Sequence, residues 1–195
     1  MHHTFIKTLK VLFLVSTLLF IFSCERIIDV EYDYSYDFMH RFPEAKIFPP
    51  DAHDYLGTSD RHVYLEYEWW IAGEIRDALV TEARPGKSWA SFYLPADRRG
   101  NRLYFGYGKA WGKATGAIVV EPLTKPDPDP DVWARRDTVF IVSLNPMQRT
   151  EDGKWFDNKW VDLSAYDGID INIVFEADSE EGWNRFGWST PVLRY

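Results

Sequence analysis

The sequence predicts an all-β fold: an antiparallel two-sheet jelly-roll sandwich, preceded by a signal peptide and an irregular tether. Three observations predict it. Short runs alternate side chains with a period of two, most clearly over residues 169–175. Turn formers separate those runs at Arg84-Pro85-Gly86, Asp97 to Gly100, Asp127-Pro128-Asp129-Pro130, Glu151-Asp152-Gly153 and Asp167-Gly168. No long amphipathic helical period occurs in the 195 residues.

The chain opens with Lys7 and Lys10 and then an uncharged run over residues 11–22, the anatomy of a secretory leader. A helix of that length is roughly 18 Å long, short of the ~30 Å hydrocarbon core of a bilayer, so the run reads as a targeting signal. It ends in Ile21-Phe22-Ser23-Cys24, which resembles a bacterial lipobox with a bulkier residue than usual at Phe22. Cys24 is the only cysteine, so no intrachain disulfide can form. Lipidation of Cys24 explains the thiol, and an anchor of more than one acyl chain, palmitate among them, holds stably. Glu25 stands where an Asp is associated with inner-membrane retention in many Gram-negative bacteria, which points to the outer membrane of the cell envelope.

The expected organisation is therefore a leader over 1–23, a tether over 24–60 and a sandwich over 61–195. The tether is rich in Asp, Tyr and Pro and shows no sustained period. Loss of the leader, which holds Lys7 and Lys10 and no acid, takes the formal charge from −8 to about −10. That acidic balance, with no basic cluster, argues against nucleic acid as a partner. Aromatic content of 17%, with nine Trp, supplies enough apolar area for one domain to close a core.

Taken in order, residues 62–71 alternate over part of their length. Residues 87–94 place Ser88, Ala90, Phe92 and Leu94 on one face and Trp89, Ser91 and Tyr93 on the other. Residues 102–107 set Leu103, Phe105 and Tyr107 opposite Tyr104 and Gly106, and residues 117–120 form a short apolar run. Residues 138–144 are apolar on both faces, the expectation for a strand covered from both sides. Ile169, Ile171, Ile173 and Phe175 share one face, which must be core.

Several pieces then recur in an order that resembles the galactose-binding-like jelly-roll modules found beside bacterial sulfatases and glycosidases. They are Arg76-Asp77-Ala78-Leu79, Trp89-Ala90-Ser91-Phe92-Tyr93-Leu94-Pro95, Leu103-Tyr104-Phe105-Gly106-Tyr107-Gly108 and Val139-Phe140-Ile141-Val142. Lys159-Trp160-Val161-Asp162-Leu163-Ser164-Ala165-Tyr166-Asp167-Gly168 and Gly187-Trp188-Ser189-Thr190-Pro191-Val192-Leu193 complete the series, which spans about three fifths of the chain. The pattern has a physical reading: Leu163 and Tyr166 pack under a turn that Gly168 permits. The resemblance implies binding of a sugar or another cell-surface component without catalysis, and it leaves room for a structural calcium ion.

Catalytic signals are sparse. The five histidines are His2 and His3 in the leader, His40 in the tether, and His53 and His62 at the edge of the sandwich domain, so a hydrolytic triad is disfavoured. Neither His53 nor His62 has a partner at zinc-ligand spacing. Asp127, Asp129 and Asp131 alternate with proline and read as solvated linker, lacking the glycine turn and terminal Glu of a helix-loop-helix calcium loop. P-loop and dinucleotide glycine patterns are absent. Carboxylates are numerous, which keeps a carboxylate-based hydrolase as the weakest alternative.

Sugar rings stack on flat side chains while amides, acids and Arg take up their hydroxyls. Two loops carry that combination, residues 109–113 with Trp111 and residues 181–185 with Trp183, Asn184 and Arg185; Trp133 beside Arg135 and Arg136 is a third candidate. Trp89, Trp160 and Trp188 read as structural. The expected function is glycan binding by a lipid-anchored, non-catalytic module with no cofactor. The alternative is a structural lipoprotein that docks onto an envelope protein.

Overall fold

Among the described residues eleven strands form two antiparallel sheets, the sandwich that period-two alternation predicts. A computed structural model describes residues 34–50, 62–83, 86–97, 100–123, 136–182 and 184–194. The strands are β1 (Tyr34–Asp37), β2 (Lys46–Phe48), β3 (Val63–Ile71), β4 (Glu74–Ala83), β5 (Gly86–Leu94) and β6 (Arg102–Gly108). They continue with β7 (Ala114–Pro122), β8 (Asp137–Leu144), β9 (Trp155–Asp162), β10 (Ile171–Ser179) and β11 (Asn184–Arg194). One sheet runs β3-β4-β11-β6-β9, with β1 paired to the far end of β11; the other runs β2-β5-β10-β7-β8.

The faces fall where alternation puts them. Ala90, Phe92 and Leu94 of β5, Leu103, Phe105 and Tyr107 of β6, and Ile171, Ile173 and Phe175 of β10 all enter one core. Trp188 of β11 is fully buried at its centre, with its indole N–H donated to Thr81 Oγ1 at 3.2 Å. Thr81 Oγ1 in turn reaches the Phe186 carbonyl at 3.4 Å, so the indole N–H and the threonine hydroxyl at the centre of the core are both paired. The Ser164–Tyr166 turn buries Tyr166 and sits beside a fully buried Leu163, and Gly168 takes φ +75°. Tyr166 closes the turn by donating its hydroxyl to Asp137 Oδ2 at 2.9 Å.

Two expectations are corrected. Residues 34–48, which fall in the expected tether, contribute β1 to one sheet and β2 to the other. The reason is Phe38, which is fully buried and meets Phe92 and Phe175 edge-on at 5.1 Å each. Aromatic pairs in that geometry contribute about 0.5–1.5 kcal/mol beyond area burial, enough to hold strands too short to show a period. The second correction concerns β8, which lies at the edge of its sheet with Ile141 64% exposed. Its other face packs on the core through Phe140, 4.9 Å from the Phe105 ring, so β8 is covered on one side only.

Candidate functional site

The outer face of the five-stranded sheet is built by the side chains that alternation turns away from the core. Register lines them up across the strands. Phe48, Trp89, Glu176, Ala117 and Ile141 form one cross-strand row, Ser91, Val174 and Val119 the next, and Tyr93, Asn172 and Glu121 a third. Ala117, Val119 and Val174 thus make an apolar floor, the aromatic side chains stand toward the β2–β5 margin, and Glu176 of the central strand β10 sets a charge between them. Ala117, Val119 and Val174 pack with Trp89 as a minor apolar cluster outside the main core.

Along one margin Phe48 and Trp89 stack, with ring centroids 5.6 Å apart and planes 14° from parallel. Phe48 is 44% exposed and Tyr93, two residues along the same face from Ser91, is 53% exposed. The Tyr93 hydroxyl donates to Asp170 Oδ2 at 2.9 Å, which pins the ring's tip. That hydrogen bond raises the phenol's pKa.

A chain of charges crosses the sheet. Glu176, whose side chain is nine-tenths buried, accepts from Lys87 Nζ at 3.3 Å and from Arg136 Nη2 at 3.1 Å. Arg136 Nε also donates to Glu121 Oε1 at 2.9 Å, and Asn172 Nδ2 reaches Glu121 Oε2 at 3.4 Å. Lys87 and Arg136 are each nearly half exposed, so either pair alone is worth about 0–1 kcal/mol; their effect is to hold donors and acceptors at fixed points. Two hollows of about 250 Å³ each flank the chain. One is lined by Lys87, Lys113, Thr115, Ile141, Asp178 and Glu180, the other by Trp89, Ser91, Glu121, Arg136 and Val174. A flat ring wall beside pre-positioned guanidinium and carboxylate groups suits a ring with an apolar face and a hydroxyl-bearing edge.

The loops singled out from the sequence meet at one end of this face. Asn184 is fully buried, and its Nδ2 donates to Ser179 Oγ, Glu181 O and Gly182 O at 2.7, 3.1 and 3.3 Å. Its Oδ1 accepts from Lys109 Nζ at 3.2 Å. Every polar atom of that amide is therefore used inside the protein, and Asn184 clasps the two loops rather than facing a ligand. Gly112, at φ +77°, lies so close that a Cβ would sit 1.9 Å from Asn184 Oδ1. Lys109 is itself fully buried, and desolvation pulls its pKa down to about 8 against the attraction of Glu181 and Glu82.

Trp111 is 60% exposed in the loop between β6 and β7, two residues before Lys113 of the first hollow. Arg185 lies on the opposite sheet, paired with Glu82 Oε2 at 3.3 Å and 5.8 Å from the Tyr64 ring. Trp133, Trp183, Cys24, Asp127, Asp129 and Asp131 lie outside the described residues. Trp188 is core, but Trp89 is half-buried on an outer face and Trp160 is 53% exposed. The sequence carried one signal for the platform: Trp89 and Tyr93 alternate on the face of β5 opposite Phe92 and Leu94. Arg136 belongs to the third candidate read from the sequence, but no clue pointed to Phe48 or Glu176, which strand pairing brings onto the same face. Among the described residues no group of three or more His, Cys, Asp or Glu is arranged to hold a metal ion. No helix there is long and apolar enough to cross a membrane.

No protein-family model matches the chain, and no curated protein matches it. Among solved structures it is similar to the module TmCBM61 in complex with β-1,4-galactotriose, at 11% identity over 82% of this chain and 94% of that one, with a TM-score of 0.46. It is also similar to CBM28, a carbohydrate-binding module specific for non-crystalline cellulose, at 14% identity over 73% and 86% of the two chains and a TM-score of 0.41. The insecticidal crystal protein Cry2Aa is 14% identical over 70% of this chain and 19% of its own, with a TM-score of 0.38. At these values the likenesses identify neither a family nor a ligand for this chain.

Proposed function

We propose that this chain is a lipid-anchored protein of the bacterial cell envelope whose sandwich binds a glycan, without catalysis, on the outer face of the five-stranded sheet. The single observation that carries the binding reading is the Phe48–Trp89 stack standing beside the Lys87–Glu176–Arg136–Glu121 chain over a small-residue floor. The rings supply an apolar plane for the C–H face of a pyranose. The guanidinium and carboxylates supply directed partners for its hydroxyls, held by each other so that little freedom is lost on binding. Lipid anchoring rests on the leader and on Cys24 as the sole thiol, and outer-membrane localisation on Glu25 in place of a retention Asp.

Affinity electrophoresis of the protein through a panel of polysaccharide gels tests the binding reading. Retardation by at least one polysaccharide, abolished by Trp89→Ala, is the expected result; unchanged retardation in that variant removes the platform from consideration. Mass spectrometry of the mature amino terminus and fractionation of Cys24→Ala test the anchor, which requires an acylated Cys24 and release of the variant from membranes.

One observation favours the second reading, docking onto an envelope protein. Tyr67, Trp70 and Ile75 are exposed together near the end of the β3–β4 hairpin, at 66%, 63% and 47%. Isolated exposed apolar groups need no explanation, but the exposed cross-strand pair Trp70–Ile75, with Tyr67 exposed in the same strand, fits a partner surface. Crosslinking through a photoreactive residue at Trp70 that captures one envelope protein, combined with no retardation in any gel, would replace the glycan reading with this one.

A further inference from the structure

The outer face of the six-stranded sheet carries three irregularities in register with one another. In β3 two residues, Tyr67 and Glu68, stand opposite Asp77 of β4. In β11 Thr190 and Pro191 stand opposite Phe105 of β6, and in β9 Asp157 and Asn158 stand opposite Gly106. All three are two-against-one bulges beside a single cross-strand row, Glu66–Ala78–Ser189–Gly106. Each contains a non-glycine residue at positive φ: Glu68 at 56°, Asn158 at 57° and Thr190 at 39°. Asn tolerates that region, whereas a β-branched Thr is a genuine outlier there. Bulges bend strands and re-aim side chains, and aligned bulges crease a whole sheet.

The crease is a groove of about 410 Å³, within the range of small-molecule sites. Arg76 of β4 reaches over β11 and β6 to Asp157 of β9, with Nη2 to Oδ2 at 2.8 Å, and holds Glu74 at 2.9 Å. The floor beneath that bridge is Ser189 and Gly106, where a Cβ would sit 2.8 Å from Asp157 Oδ1. Asn158 and Thr190, both exposed, line the same groove, as do Tyr104 and Arg194, whose guanidinium lies 4.8 Å from the Tyr104 ring. Arg76 is thus neutralised by Asp157 and Glu74, while a hydroxyl and a carboxamide are displayed at the cost of local strain.

The geometry points to a second binding site, separate from the platform on the opposite sheet, that takes a short neutral saccharide. Its ligand is recognised through hydroxyls by Thr190, Asn158 and the fixed Arg76–Asp157 pair. Lys159 and Arg194 also line the groove, so three cations stand against Asp157 and Glu74. With Arg76 balanced by both acids the near-cancelling charge fits a neutral polyol, and the groove's volume of about 410 Å³ fits a compact ligand. Strain at functional positions persists only where the surrounding structure over-determines it. Here the glycine-accepting backbone at residues 158 and 190 carries side chains that folding alone does not ask for.

The test exploits that conflict. Asn158→Gly and Thr190→Gly, singly and together, suit their φ values and delete the ligand-facing groups. Calorimetric titration of the full chain with neutral tri- to hexasaccharides of gluco, galacto, manno and xylo configuration, beside thermal unfolding, gives both readouts. The expected result is an unchanged or raised unfolding temperature in the double variant with at least a tenfold loss of affinity for one saccharide. That loss persists in a Trp89→Ala background, and Trp89→Ala alone leaves this saccharide bound. Binding unaffected by the double variant overturns the proposal, as does a single site abolished by Trp89→Ala. If the double variant removes all binding and Trp89→Ala removes none, this site stands and the platform reading fails. If the wild type binds no saccharide of the panel, both fail.

Discussion

Burial of Lys109 should make the stability of this protein rise with pH. The residue is fully buried, and its ammonium is held by only Asn184 Oδ1 and the Arg185 carbonyl, at 3.2 Å each. Burial lowers its pKa from 10.5 to about 8. The folded state therefore releases the Lys109 proton before the unfolded chain does, and between those two values the unfolded state holds more protons. Stability must then increase with pH across that window and level off above it. A tenfold difference in proton affinity between the two states corresponds to ~1.4 kcal/mol. The wild type should accordingly gain about 2 kcal/mol between pH 7 and 9.5, with roughly 3 kcal/mol available in full.

Urea unfolding of wild type and Lys109→Met across that range checks the claim. The variant removes the titrating group but leaves Asn184 Oδ1 and the Arg185 carbonyl short of a donor, a cost of ~1–3 kcal/mol. The two proteins should therefore be similar at pH 7 and diverge as pH rises, with the wild type pulling ahead. Tyr36, Tyr64 and Tyr107 have phenols raised chiefly by burial. They contribute stability that is lost at still higher pH, but equally in both proteins, so the difference isolates Lys109. Parallel pH profiles for the two proteins would mean that Lys109 does not titrate as its burial requires.

Three further outcomes follow from the packing and the site. Gly112→Ala should cost more than ~1 kcal/mol, because φ is +77° and the added methyl meets Asn184 Oδ1; chemical unfolding measures it. Trp188→Ala should cost ~3–5 kcal/mol and abolish cooperative thermal unfolding if the core is as closed as its burial indicates. Glu176→Ala should change stability by no more than ~1 kcal/mol, since Lys87 and Arg136 are half exposed and rehydrate. The same substitution should weaken glycan binding about tenfold, near 1.4 kcal/mol by titration calorimetry.

The class of the fold and the inward faces of its longer strands could be read from residue order alone. Leu103, Phe105 and Tyr107 in β6 and Ile171, Ile173 and Phe175 in β10 point inward because side chains alternate along any extended strand and only one face can be buried. The turn after Leu163 was legible for the same local reason, since Gly168 accepts a φ of +75°. The strands β1 and β2 were not, because three or four residues are too few to show a period. Their place comes from Phe38 finding a pocket between Phe92 and Phe175. Nor could composition tell that β8 ends its sheet, which depends on strand order.

Which side chains act together emerges only when the strands have paired. Glu176, Arg136 and Phe48 are far apart along the chain and come onto one sheet face only when the strands pair. Thr190, Asn158 and Arg76 share a groove because three strands bulge at the same level. Local sequence sets which way a side chain faces, since that follows from its own backbone. Partners across strands are set by pairing, a property of the whole chain that no single stretch encodes.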